Sequence, residues 1–459
     1  MAKPESESTT SRTLGPLAAM SLVAGTMLGI GIFIAPPDVA RHLDHPVTFV
    51  LMWALGGLSA LCGALCVAEL GAMLPRAGGD YPYLRLSYGP GIAFAAGWLQ
   101  LLAIFPGSLA TMAVGTASYQ LPVVLGSAYP IGDALGLGDM SPTLWAVIII
   151  VAFTALNHVG IVISGLLQIA LTMVPLGALL LASLWVLGGG VPDAHGLTSA
   201  AGPGLPALGG AAAAFLGVYF AYSGWNAAIF VGGEIREPTR NVPRALVGGT
   251  LGVTVLYLLL CLGFVAVLGM GDLATAGEAG SAVARRLFGR TGELSITVLI
   301  VLAMLGSING CVLTGSRIAY AMAEHGDFAR SAAVLHRRFG TPVVALWVQA
   351  AIAIVLVATH GFEHLIKYTS AAMLVTGSLT VAAVMILRRR MPDAPRPYRT
   401  WGYPVTPILY VASSVLVLGV FVVRIFEDGA ARDWSVLLAI AWFVLALAVH
   451  RVRRRGRGG

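Results

Sequence analysis

The chain has 459 residues, of which 57% are hydrophobic and only 11% charged, with a mean hydropathy of +0.85 and a formal net charge of +7. Soluble domains carry about 25% charged residues. A soluble enzyme, or a soluble domain on a single anchor, is therefore excluded, and a polytopic membrane protein is expected.

Residues 1–14 form a polar, Ser/Thr-rich segment without the charged region, short apolar core and cleavage site of a signal peptide. It is expected to be a cytoplasmic tail. About twelve apolar stretches follow, each near the ~20 residues that a spanning helix needs. They lie at 15–40, 47–71, 92–119, 142–158, 162–188, 208–232, 244–268, 290–323, 342–358, 362–387, 405–424 and 434–450.

The first stretch holds Val23-Ala-Gly-Thr-Met-Leu-Gly-Ile-Gly-Ile-Phe33, with Gly25, Gly29 and Gly31. Each glycine weakens a helix by roughly 1 kcal/mol, so the span is expected to unwind here. Unwound backbone at membrane depth is tolerated only where protein or a watery cavity covers it. Gly25 and Gly29 also have the spacing of a close-packing motif, but that spacing leaves Gly31 unexplained.

After the second stretch comes Glu69-Leu-Gly-Ala-Met-Leu-Pro-Arg-Ala-Gly-Gly-Asp80, where Pro75 and Gly78-Gly79 break any helix. Glu69 is expected at the inner interface. The sixth stretch holds a second interruption, Gly217-Val-Tyr-Phe-Ala-Tyr-Ser-Gly-Trp-Asn226. Gly29 and Gly224 are 195 residues and five spans apart. Five is odd, so two such halves insert with opposite topology, and matched broken helices point to a transport site. The cytoplasmic segment Glu234–Arg244 follows; its Glu234, Arg236, Glu237 and Arg240 form either a solvated loop or an ion-pair latch. Arg317, in the eighth stretch, is expected to snorkel inward. Gln100, Gln168, Gln349 and Asn309 are intramembrane amides of the kind that join helices.

With the N-terminus inside, 21 of the 28 Lys and Arg residues fall in cytoplasmic segments and 7 outside. Both termini are thus expected in the cytoplasm. The trio Arg285, Arg286 and Arg290 departs from this bias in a longer loop. The basic end, 453–459, fits cytoplasmic retention on anionic lipid and no nucleic acid is expected as partner. Cys62, Cys66, Cys261 and Cys311 all lie in apolar stretches, which leaves no extracellular disulfide framework. No metal site or cofactor is expected.

The two interrupted segments contain no Asp, Glu, Lys, Arg or His between Val23 and Phe33 or between Phe220 and Asn226. Such a site still binds charge through helix ends: free N–H groups attract an anion and free carbonyls a cation. A half-helix starting after Gly29 would offer the N–H groups of Ile30, Gly31 and Ile32 to a carboxylate. Carbonyls near Met27, Phe220 and Ser223 would receive an ammonium. That combination suits an α-amino acid. Phe220 and Trp225 are either packing residues or a lid and a pocket wall. Asn226 either bonds the ligand or braces the break, and Thr26 either braces the first break or bonds a carbonyl one turn back.

These segments, with Glu234-Ile-Arg-Glu-Pro-Thr-Arg-Asn-Val-Pro243, Asn309-Gly-Cys-Val-Leu-Thr-Gly-Ser-Arg317 and Arg396-Pro-Tyr-Arg-Thr-Trp-Gly-Tyr-Pro404, resemble the amino acid–polyamine–organocation superfamily. The likeness is to its L-type amino acid transporter branch and bacterial relatives, and covers nearly the whole chain. It implies an all-α membrane fold of about twelve spanning helices. The implied domain, 15–452, has an inverted five-plus-five repeat (about 15–188 and 208–387), helices 1 and 6 broken, and two extra helices at 405–450. It implies alternating access, with spans one, two, six and seven rocking against three, four, eight and nine. It implies a substrate site of Thr26, Met27, Gly29, Ile30, Gly31, Phe220, Ser223, Gly224, Trp225 and Asn226, with Phe220 as gate.

The chain departs from the family in two places. Gly29-Ile30-Gly31 stands where Gly-Ser-Gly is usual, and Pro175 stands where several relatives have a lysine in the fifth span. Animal members join a glycoprotein through a loop cysteine, and the segment from Gln120 to Ser141 has none, so no such partner is expected. The expected activity is transport of neutral L-amino acids across the cell membrane, by exchange or uniport; a proton-coupled symporter is the nearest alternative, with a polyamine carrier or a channel further off. An enzyme is not expected, since no catalytic side chains cluster in the sequence.

Overall fold

A computed structural model of the chain describes residues 12–125, 140–190, 208–359, 361–427 and 434–456. The expected tail 1–14 lies outside the described residues except for its last three, as does the basic end beyond residue 456 and most of the segment between Gln120 and Ser141.

The described residues are helical, joined by turns, with two isolated bridges, Leu14 to Ile235 and Ala77 to Val231. In chain order the helices are α1 (Pro16–Met27), α2 (Gly31–His42), α3 (Pro46–Met73), α4 (Asp80–Tyr88) and α5 (Pro90–Leu125). Then come α6 (Pro142–His158), α7 (Ile161–Trp185), α8 (Leu208–Ala221), α9 (Ala227–Phe230) and α10 (Pro238–Thr275). The series ends with α11 (Ala279–Glu324), α12 (Val343–Thr359), α13 (Phe362–Arg390), α14 (Val405–Glu427) and α15 (Ser435–Gly456). Proline opens α3, α5, α6 and α10, where its missing N–H costs nothing.

Each predicted stretch meets a helix. Eight helical segments are long and apolar enough to cross a membrane, and α6, α8 and α12 are shorter apolar helices. With α15 this matches the twelve spans, the pairs α1–α2 and α8–α9 each counting as one. The predicted ends of spans seven and eight fall at backbone kinks. Gly269 (φ 70°) bends α10 and Gly289 (φ 63°) bends α11, both in the left-handed region that glycine tolerates.

Large apolar side chains cover the outside, and the polar side chains of the spans are buried among the apolar core. Leu51, Leu166 and Leu181 are more than half exposed, whereas Ser21, Gln168, Thr172 and Asn309 are buried. In lipid this is the stable arrangement, because unmet polar groups are costly there. Asn309 of α11 donates to Gln168 Oε1 (2.8 Å) and accepts from Asn157 of α6 (2.9 Å). Gln168 donates to Thr172 (3.0 Å), which donates to the Ser21 carbonyl of α1 (3.2 Å). Gln168, Asn309 and Gln349, which donates to the Cys311 carbonyl, thus join helices as expected. Gln100 does not: neither amide atom has a partner.

Helices α1 and α2 lie at the centre. The first packs on α7, α10 and α11, the second on α8 and α10, and α3 packs along α10. The two broken spans are thereby held side by side.

Candidate substrate site

The chain leaves helical geometry between Met27 and Gly31, and again between Ala221 and Ala227. Both breaks need glycine. A Cβ on Gly31 would sit 2.4 Å from the Ala221 Cα, and one on Gly29 would sit 2.9 Å from Ser307 Oγ. Gly224 has φ 97° and its Cβ would meet Thr26 at 2.9 Å. The two unwound segments touch backbone to backbone.

Most exposed carbonyls of the breaks are met by protein. Tyr257 of α10 donates to the Met27 carbonyl (2.5 Å) and lies 3.2 Å from that of Ala221. Ser307 donates to the Thr26 carbonyl (3.0 Å), and the Ser223 N–H donates to the Phe220 carbonyl (3.0 Å). Thr26 does both things expected of it: its hydroxyl reaches the Leu22 carbonyl one turn back (2.7 Å) and the Gly224 carbonyl across the gap (3.2 Å). What is left over is informative. The N–H groups of Ile30, Gly31 and Ile32 have no partner among the described residues, and no side chain caps α2. The carbonyls of Leu28, Gly29, Tyr222, Ser223 and Trp225 likewise accept no bond from them.

All ten sequence-selected residues, Thr26, Met27, Gly29, Ile30, Gly31, Phe220, Ser223, Gly224, Trp225 and Asn226, line one cavity. Its water-accessible volume is about 90 Å³. One water needs about 10–15 Å³ on that measure, so the space suits a small solute. Phe220 is buried at its edge, and Trp225 packs edge-on against Tyr410 (5.6 Å). Ser108, Met112 and Ser307 complete the wall from α5 and α11.

Among the lining residues that the sequence did not select, two polar ones matter most, Gln100 and Asp80. Gln100 sits on a π-turn, Gln100–Ile104, where α5 widens; such turns recur at functional sites. Asp80 reaches the cavity from α4, with Asn226 and Thr380 beside its carboxyl. The interrupted segments contain no acid, yet the fold brings one to Asn226. The signal was Gly78-Gly79. Their positive φ angles (112° and 58°) turn the chain back, and a Cβ on Gly79 would strike the Phe230 ring.

Below the cavity two charged clusters are largely buried. Arg317 of α11 does not snorkel: its side chain is 3% exposed and grips Glu234 through Nε (3.2 Å) and Nη2 (3.3 Å). Glu234 therefore pairs across to α11, and not with Arg236 or Arg240 of its own loop. The Leu14 N–H donates to the Glu234 carbonyl (2.9 Å), which ties the start of α1 to the same point. Glu69 is buried too, held by Arg388 (2.6 Å), Arg396 (3.2 Å) and the Thr400 N–H (2.7 Å). That node anchors the Arg396–Pro404 motif to the end of α3. The His158 ring lies 5.6 Å from that of His336. Among the described residues no three His, Cys, Asp or Glu side chains converge as for a metal.

A family model described as amino acid permease matches residues 14–448. The chain belongs to the amino acid permease family. It is 30% identical over 436 residues to the serine/threonine exchanger SteT of Bacillus subtilis, covering 94% of this chain and 95% of that protein. It is 28% identical to the rabbit large neutral amino acids transporter small subunit 2, over 87% of this chain and 74% of the relative. It is also 28% identical to the mouse Asc-type amino acid transporter 1, over 89% and 76%. The permease is thus a multi-pass amino acid transporter and not an enzyme.

Proposed function

We propose that the permease carries neutral L-amino acids across the cell membrane by alternating access, working as an exchanger, with both termini in the cytoplasm. One observation carries this reading: unpartnered N–H groups at the start of α2 and an unpartnered carbonyl in the second break line the same small cavity. The substrate carboxylate sits on the N–H groups of Ile30 and Gly31, where a half-helix N-terminus favours an anion. The ammonium sits on the Ser223 carbonyl, with the second lone pair of the Phe220 carbonyl beside it; the Met27 carbonyl already accepts from the Gly29 N–H and the Tyr257 hydroxyl and is not free for it. Phe220 closes over the ligand, and Trp225 and Asn226 border its side chain.

The name of the Bacillus relative, a serine/threonine exchanger, supports exchange. The excess of Lys and Arg in the expected inner loops supports the orientation. In the transport cycle α1, α2, α3, α8, α9 and α10 move against α5, α6, α11 and α12. The deciding experiment is uptake of one labelled neutral amino acid into proteoliposomes, with and without internal amino acid, in competition with each standard amino acid. Exchange predicts strong stimulation by internal neutral amino acids; equal uptake into empty vesicles contradicts it.

A further inference from the structure

Asp80 has no place in the backbone site just described. It opens α4 behind the Gly78-Gly79 turn, is 3% exposed, and lines the substrate cavity. Its Oδ1 has no hydrogen-bond partner. Asn226, in the second break, and Thr380, on α13, stand beside the carboxyl. It therefore joins a segment that unwinds to a helix that does not.

Among the described residues no ion pair to it is found. Arg85 on its own helix pairs with Asp327 (3.5 Å), Arg317 on α11 with Glu234, and Arg388 on α13 with Glu69. The other titratable groups facing it are phenols: Tyr83 on α4, Tyr219 on α8 and Tyr410 on α14. From α5 the cavity receives no charged side chain, only Gln100, Ile104, Phe105, Ser108 and Met112, and from α11 the Cys311 thiol is its one titratable lining group. An isolated ionised carboxylate in such surroundings is so costly that the group takes up a proton instead. Two features oppose permanent protonation. The first turn of a helix favours a negative charge, and the nearby Asn226 and Thr380 side chains favour the ionised form. Burial pushes the carboxyl up to about 7 against these effects. The group is poised to change state when water reaches it.

We propose that Asp80 is a proton-binding site of the transport pathway, protonated while the cavity is closed to water and ionised when the cavity opens. On opening, the carboxyl O–H bond breaks, its electron pair stays on the oxygen, and the proton passes to a cavity water as hydronium. On closing, a hydronium returns it. The protonated form is the one that crosses between the two orientations, because it carries no unpaired charge through the dry state. The inference rests on the cavity being the transport site, but not on which amino acid occupies it.

The test is counterflow of a labelled neutral amino acid in proteoliposomes, with equal pH on both sides, at pH 6 and pH 8. With the carboxyl titrating near 7, the protonated fraction and hence the rate fall about tenfold between these values. Asp80→Asn, a permanently neutral isostere, loses that slope. A flat wild-type profile overturns the proposal, as does a variant that keeps the wild-type slope, or a rate set by sodium instead of pH. Should Asp80→Asn be inactive, infrared difference spectra of the solubilised protein decide. The carboxylic-acid carbonyl band of the wild type is expected to disappear between pH 6 and 8 and to be absent from the variant; no such band refutes the site. A permease that moves no neutral amino acid at any pH refutes the proposed function instead, and the infrared measurement still decides on Asp80.

Discussion

The cavity and the end of the permease that holds Glu69 and Glu234 solve the problem of charge in opposite ways. At the breaks the polar groups are main-chain: N–H groups of Ile30 and Gly31 and the carbonyl of Ser223, with no ionised side chain in either interrupted segment. Beneath them, charge is carried by side chains in buried pairs, Glu234 with Arg317 and Glu69 with Arg388 and Arg396. In the proposed site, helix ends would hold a zwitterion through dipoles that need no counter-ion, and so would lose little when the ligand departs. A buried ion pair is different. Removing one partner leaves an uncompensated charge, so such pairs suit a junction that holds together, as between the loop after α9 and α11.

Four substitutions sharpen or break this contrast. Gly31→Val should have the largest effect on transport, since its Cβ alone would lie 2.4 Å from the Ala221 Cα. Displacing reacting or binding groups by about 1 Å can cost 100-fold. Uptake is expected to vanish while membrane abundance on an immunoblot is kept; normal uptake would contradict backbone recognition. Glu234→Ala should destabilise the protein by about 3–5 kcal/mol, the usual cost of orphaning a buried charge. Thermal unfolding in detergent checks this, and adding Arg317→Ala should recover part of the loss. Phe220→Ala is expected to slow turnover several-fold with a smaller change in affinity, measured by comparing exchange rates with equilibrium binding; unchanged turnover removes its role as a lid.

The smallest effect is a pH dependence of stability. The Asp80 carboxyl is raised from 3.8 to about 7, so between these values the folded state holds a proton that the unfolded state has lost. Wild-type stability therefore falls as pH rises through that window. Asp80→Asn should gain melting temperature relative to wild type at pH 8 and not at pH 4. A gap that is independent of pH would contradict the shift.

Much of this was legible in the sequence because it is local. Twelve apolar stretches, two glycine-interrupted spans and the ends at Gly269 and Gly289 follow from composition and chain stiffness, and the ten residues around the breaks do meet in one cavity. The misses are all tertiary. Arg317 reads as a snorkelling residue until α11 is placed beside Glu234, which lies 83 positions away. Gln100 reads as helix glue until the π-turn swings it into the cavity. Asp80 reads as a loop residue, because Gly78-Gly79 signals a turn but not that the turn sets the carboxyl beside Asn226.

The central claim is that a free ammonium and a free carboxylate on one carbon are held by main-chain groups of two broken helices. Competition by analogues lacking one end tests it most directly: the amino alcohol and the hydroxy acid matching the best neutral substrate, each against uptake of that labelled substrate. The account predicts that neither analogue competes, while the intact amino acid does. Competition by either analogue at the concentration where the amino acid competes would contradict it.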